Sequence, residues 1–114
     1  MRYSVKGGSP DKIVTECIVV SIWGNGSLSD EAKILDVKTK KLISGLVSSG
    51  DASGNLGETL LVYRPPNVSA RRILLAGAGD RKKFNALSAK KLIEGVFKRC
   101  RKIGASSIHF CLNS

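Results

Sequence analysis

The sequence is poor in the side chains from which catalytic centres are usually assembled. It holds one histidine, His109, inside an apolar run, and its five aspartates and four glutamates are scattered among helix starts and loops. No metal-ligand spacing emerges from them. The three cysteines, Cys17, Cys100 and Cys111, are odd in number and show no CxxC spacing, so neither a disulfide framework nor a zinc site is expected; they read as buried free thiols. Aromatic residues make up 5% of the chain, and only Phe84 and Phe97 fall within its basic segment, which leaves few stacking platforms for single-stranded nucleic acid. Apolar runs all fall well short of the roughly 20 residues that span a bilayer, and Met1 to Gly8 lacks an apolar core of signal-peptide length. A soluble cytoplasmic protein with no membrane association is the expectation. Acid is scarce as well, with 9 Asp+Glu against 19 Lys+Arg and a net charge of +10.

What is present suits one globular domain over residues 1–114, with 42% hydrophobic and 25% charged residues. The charge is concentrated. Residues 71–102 carry 11 Lys+Arg against Asp80 and Glu94, whereas the other 82 residues are close to neutral. Such a concentration matters because affinity for nucleic acid follows the phosphates that one connected surface neutralises.

Arg2 to Lys6 reads as a short strand stopped at Gly7-Gly8-Ser9-Pro10. Thr15 to Trp23 is a β-branched apolar run ahead of Gly24-Asn25-Gly26, the pattern of a central strand buried on both faces. Ser27 or Ser29 can cap a helix with Asp30 and Glu31 in its first turn and Ala32, Ile34 and Leu35 as its apolar contacts. Leu42, Ile43, Leu46 and Val47 lie on one face of a second helix within Thr39 to Ser49, closed by Gly50, with Lys38, Lys40 and Lys41 facing solvent. After a loop over 51–57, Glu58 to Tyr63 and Arg71 to Gly77 predict an antiparallel pair joined by about five residues. The last helix carries the clearest pattern. Capped by Asn85 or Ser88 and stopped by Gly104, it sets Leu92, Ile93, Val96, Phe97, Cys100 and Ile103 within roughly 140° of arc, opposite a basic side. Ser107 to Leu112 then returns as a strand reached by a helical crossover. The fold class is α/β with a mixed, mostly buried sheet flanked by helices.

Leu75-Ala76-Gly77-Ala78-Gly79-Asp80 follows a strand but lacks the third glycine of GxGxxG and any following GKS/T. Gly77 and Gly79 can either turn backbone amides toward an anion or form a compact turn into the basic helix. His109 reads as a structural residue of its strand. The basic face has two readings, an ordinary solvated surface or a patch that meets nucleic-acid phosphate or an acidic protein. Its candidate nucleic-acid contacts are Arg71, Arg72, Arg81, Lys82, Lys83, Lys90, Lys91, Lys98, Arg99, Arg101 and Lys102, which would position duplex DNA without reading its bases.

Tyr3-Ser4-Val5-Lys6-Gly7-Gly8-Ser9-Pro10, Cys17-Ile18-Val19-Val20, Gly57-Glu58-Thr59-Leu60-Leu61-Val62 and Pro66 to Gly79 together resemble the amino-terminal domain of the leucyl (cytosol) aminopeptidases, the bacterial aminopeptidase A type. The resemblance covers essentially the whole chain. It implies a macro-domain-like, three-layer accessory module ahead of a carboxy-terminal catalytic domain that this chain does not include. It further implies a homohexameric parent metalloprotease in which two divalent ions, Mn or Zn, activate water. The ligands of those ions belong to the catalytic portion, so no catalytic, cofactor or metal residue is carried onto this chain and the fragment is expected to be inactive. Some bacterial relatives of this kind also resemble architectural DNA-binding proteins, which the basic segment would suit. An ADP-ribose site is not carried over, because no acidic residue and glycine-loop constellation specifies the nucleotide.

Overall fold

A computed structural model describes residues 2–4 and 9–111. In chain order the elements are β1 (Arg2–Ser4), a 3-10 turn (Pro10–Lys12), β2 (Cys17–Trp23), α1 (Asp30–Lys38), α2 (Leu42–Ser48), β3 (Thr59–Tyr63), β4 (Arg72–Gly79), a second 3-10 turn (Arg81–Lys83), α3 (Ala86–Ile103) and β5 (Ser107–Cys111). The rest of the expected first strand, Val5 and Lys6, and the expected last residue of the final strand, Leu112, lie outside the described residues.

All seven residues of β2 are buried, and it runs through the middle of a five-stranded sheet of order β1-β5-β2-β4-β3. β1, β5, β2 and β4 are parallel neighbours, while β3 is antiparallel to β4. The sheet is therefore mixed, as the apolar runs predict. Alternate side chains divide its faces. Val19, Leu74 and Ala76 pack under Leu92, Val96 and Cys100 of α3, with Ile93, Phe97 and Ile103 around them. Ile18, Val20, Ile22, Ile73 and Leu75 pack under Ala32, Leu35 and Ile43 of α1 and α2. The result is a three-layer α/β/α arrangement.

Local chemistry explains the helix ends. Ser29 caps α1 by accepting from the Ala32 amide at 3.2 Å. Ile34, expected among the contacts of α1, is instead 40% exposed, and Val37 is 74% exposed. At about 100° per residue Ile34 lies opposite Ala32, so burying one exposes the other. The second helix starts later than Thr39 because Thr39 closes α1 and Lys40 and Lys41 adopt φ of 57° and 66°. With no side-chain cap at Lys41, the buried Asp36 carboxylate reaches across from α1, accepting from the Ser44 amide at 2.8 Å and from the Ser44 hydroxyl. The connection after β3 is also longer than the expected five residues. Residues 64–71 separate the strands, with the Arg64 amide donating to the Arg71 carbonyl at 2.8 Å. Asn85 and Ser88, alternatives in the sequence pattern, act together at α3 as a reciprocal capping box, and Gly104 ends the helix at φ 69°.

Candidate functional site

α3 sets the geometry of the basic surface. Its 18 residues extend about 27 Å, and it leaves the carboxyl end of β4 to return toward the amino end of β5. With the apolar stripe of α3 held against the sheet, Lys90, Lys91, Lys98, Arg101 and Lys102 are exposed. Arg99 is half-buried at the margin of that stripe, its Nε buried and without a hydrogen-bond partner. Glu94 interrupts the exposed face.

At the carboxyl end of β4, Asp80 caps the short Arg81–Lys83 turn by accepting from the Lys82 amide at 2.9 Å, and all three basic residues are exposed. The Arg81 guanidinium lies 5.3 Å from the centroid of the Trp23 ring, and Phe84 meets that ring edge to face at 5.5 Å. Beside them opens a cleft of about 580 Å³ lined by Gly24, Asn25, Asp80, Arg81 and Lys82. Arg71 and Arg72 stand at the other end of β4, about 23 Å away along its eight residues. Arg72 is half-buried, donates to the Glu16 carbonyl at 3.4 Å and lies over the Tyr63 ring at 5.7 Å. Arg71 is exposed and lines a separate cleft with Val14, Thr15, Glu16, Ser69 and Ser107. The eleven basic candidates thus occupy a strip along α3 and two opposite ends of the sheet.

The Gly77-Ala78-Gly79 segment has its amides committed within the chain. Gly77 donates to the Glu58 carbonyl at 2.8 Å and Gly79 to the Gly54 carbonyl at 2.8 Å, while their own carbonyls accept from Gly57 and Gly24. The segment belongs to β4, and residues 54–58 lie against its end. A Cβ on Gly77 would fall 1.9 Å from the Asn55 carbonyl oxygen, and one on Gly54 would fall 1.8 Å from that of Trp23. These glycines serve close backbone approach rather than an anion, an arrangement that spacing alone does not reveal because the covering loop comes from twenty residues upstream.

The acidic groups are spread through the fold. Asp36 holds Ser44, Asp11 accepts from Ser9 and faces Lys38 at 3.9 Å, and Glu16 accepts from the Ser106 amide at 3.0 Å and from its hydroxyl. Among the described residues, no three His, Cys, Asp or Glu side chains converge as a metal-binding group. All three cysteines are buried and free. Hydrogen bonding to Cys100, together with burial, raises Cys17, and burial with a contribution from Glu31 pushes Cys111 up to about 12. The same hydrogen bond lowers Cys100, but all three thiols are buried and lack the solvent access of a reactive thiolate. His109 is buried within β5. The pattern reading did not single out Trp23, which stands at the carboxyl end of the central strand β2, just before Gly24-Asn25-Gly26.

A mixed sheet of this order, open at both edges and covered on both faces, defines a macrodomain-like α/β module. The macrodomain of Mycobacterium tuberculosis DarG superposes on it with a TM-score of 0.73 at 10% identity, covering 95% of this chain and 74% of that one. Residues 19–114 match the model of the cytosol aminopeptidase family, N-terminal domain, and the chain belongs to that family. It is 32% identical over 114 residues to the cytosol aminopeptidase of Buchnera aphidicola subsp. Acyrthosiphon pisum (strain APS), covering 100% of this chain and 23% of the relative. It is 35% identical over 108 residues to a probable cytosol aminopeptidase of Actinobacillus pleuropneumoniae serotype 5b (strain L20), covering 95% and 22% respectively. The chain therefore spans less than a quarter of the length of these relatives. Among the described residues, no helix is long and apolar enough to cross a membrane.

Proposed function

We propose that this chain is the non-catalytic amino-terminal domain of a cytoplasmic leucyl aminopeptidase, a homohexamer whose carboxy-terminal domain removes amino-terminal residues from peptides with two divalent ions, Mn or Zn. The observation that carries this reading is the family match over 19–114 in relatives more than four times as long. The side chains described do not fit a dinuclear centre. Such a site needs several oxygen or nitrogen donors around one point, whereas among the described residues no such group of side chains converges, Glu16 and Asp36 hold local hydrogen bonds, and His109 lies in the sheet core. What the domain supplies is a rigid block, anchored through its sheet, that shapes access to the catalytic portion or the contacts between subunits. A chimera tests this role. Replacing the corresponding region of the Buchnera relative with residues 1–114 should preserve leucyl-peptide hydrolysis and the assembly state measured by light scattering. A folded chimera lacking both would count against the reading.

A second reading, a surface for duplex DNA, is favoured by the exposure of nine of the eleven candidate cations, all except Arg72 and Arg99. Phosphate contacts of this kind give binding that weakens steeply with salt and depends little on sequence. Neutralising Lys98, Arg101 and Lys102 should weaken duplex binding uniformly across sequences and flatten its salt dependence. Negligible binding by the unmodified domain at low salt would sink this reading.

A further inference from the structure

We propose that the Phe84 corner of the sheet is a stacking site for an unpaired base of single-stranded nucleic acid, with the neighbouring cations holding its phosphates. The proposal rests on the nucleic-acid reading of the basic surface and makes it specific. Phe84 follows the Arg81-Lys82-Lys83 turn directly and is 38% exposed, so that part of its ring is open to solvent beside three cations. Its ring is held in place rather than loose. Trp23, only 6% exposed, meets it edge to face at 88°, and Arg81 braces Trp23 through its guanidinium. Arg81, Trp23 and Phe84 thus form a fixed ledge on which part of an aromatic ring remains open to solvent.

Two further features point to a ligand at this corner. Trp23 Nε1 is buried with no hydrogen-bond partner, a donor left over for an acceptor on a bound base. The adjoining cleft is lined by Asn25 and Asp80 as well as Arg81 and Lys82. The Asp80 carboxylate disfavours a phosphate in the cleft, while a carboxylate and an amide can pair with the polar edge of a base. The phosphates are then assigned to the exposed Lys82, Lys83, Lys90 and Lys91. A duplex offers these cations its phosphates but keeps its bases stacked; a single strand presents both the phosphates and a free π-face.

The test exploits the single tryptophan of the chain. The domain is titrated with a labelled dT12 strand and with a hairpin duplex of equal phosphate number, over a salt series, while Trp23 fluorescence is recorded. The single strand is expected to bind about ten-fold more tightly than the duplex and to change the tryptophan emission. Phe84→Leu should abolish that preference and leave the salt slope intact, whereas Phe84→Tyr should restore it. Circular dichroism verifies that each variant is folded. Equal binding of both nucleic acids, with no effect of Phe84→Leu, would overturn the stacking site and leave the basic surface standing. Failure of both to bind at low salt would overturn the two together.

Discussion

At the residue scale, backbone packs directly against backbone at the carboxyl ends of β2 and β4. Gly77 and Gly54 are fixed there because a methyl group would occupy the space of a carbonyl oxygen, which neither strand nor loop can vacate without breaking its hydrogen bonds. Gly77→Ala should therefore cost about 3 kcal/mol or more in denaturant unfolding, at the upper end of overpacking effects. Gly45 is the contrast. It lies inside α2, with open space where its Cβ would be, and Gly45→Ala should stabilise the domain by about 1 kcal/mol through helix propensity alone. Asp11 provides a test by pH. Its hydrogen bond from Ser9, opposed by desolvation and aided by Lys38, holds the carboxyl below its ordinary value of 3.8. A folded-state value below the unfolded one means that the ionised carboxylate stabilises the fold above pH 3.8, and that this contribution fades as pH falls through the lowered value. Asp11→Asn should accordingly be less stable than the parent at neutral pH, with the difference shrinking in acid; a gap that stays constant with pH would contradict the assignment.

At the element scale, α2 depends on a residue outside itself. The left-handed Lys41 offers no cap, so the Asp36 carboxylate on α1 satisfies the Ser44 amide in the first turn of α2. Asp36→Ala should cost about 1–2 kcal/mol and loosen α2 first, visible as faster amide exchange over 42–48 than in α3. This dependence marks where reading the sequence stops. The strands and α3 are legible because uninterrupted β-branched runs and a long apolar stripe with a cap and a terminal glycine are local signals. The start of α2 is not, because nothing near Lys41 announces that two successive lysines will take positive φ or that a cap will come from eight residues upstream. The reading of Ile34 as a contact failed for a geometric reason: two positions from the buried Ala32, it falls on the opposite side of α1.

At the scale of the whole molecule, the composition proves less even than the net charge suggests. Most of the excess positive charge lies in one stretch of chain, which folding spreads over a helix face and two ends of the sheet. The sequence reveals the clustering, but not that Arg72 turns inward onto Tyr63 while Arg81 turns onto Trp23. The ledge formed by Trp23 and Phe84 was likewise hidden, since the two residues are 61 positions apart and meet only when β2 and β4 align. Among the described carboxylates, Asp11, Glu16 and Asp36 each hold their own local hydrogen bonds in different parts of the fold. The central proposal is that peptide hydrolysis belongs to a larger parent and not to this domain. The most direct measurement is the release of chromophore from a leucyl anilide by the purified, folded 114-residue domain in excess Mn²⁺ or Zn²⁺. The rate should equal that of the metal alone, and saturable turnover proportional to domain concentration would contradict the account.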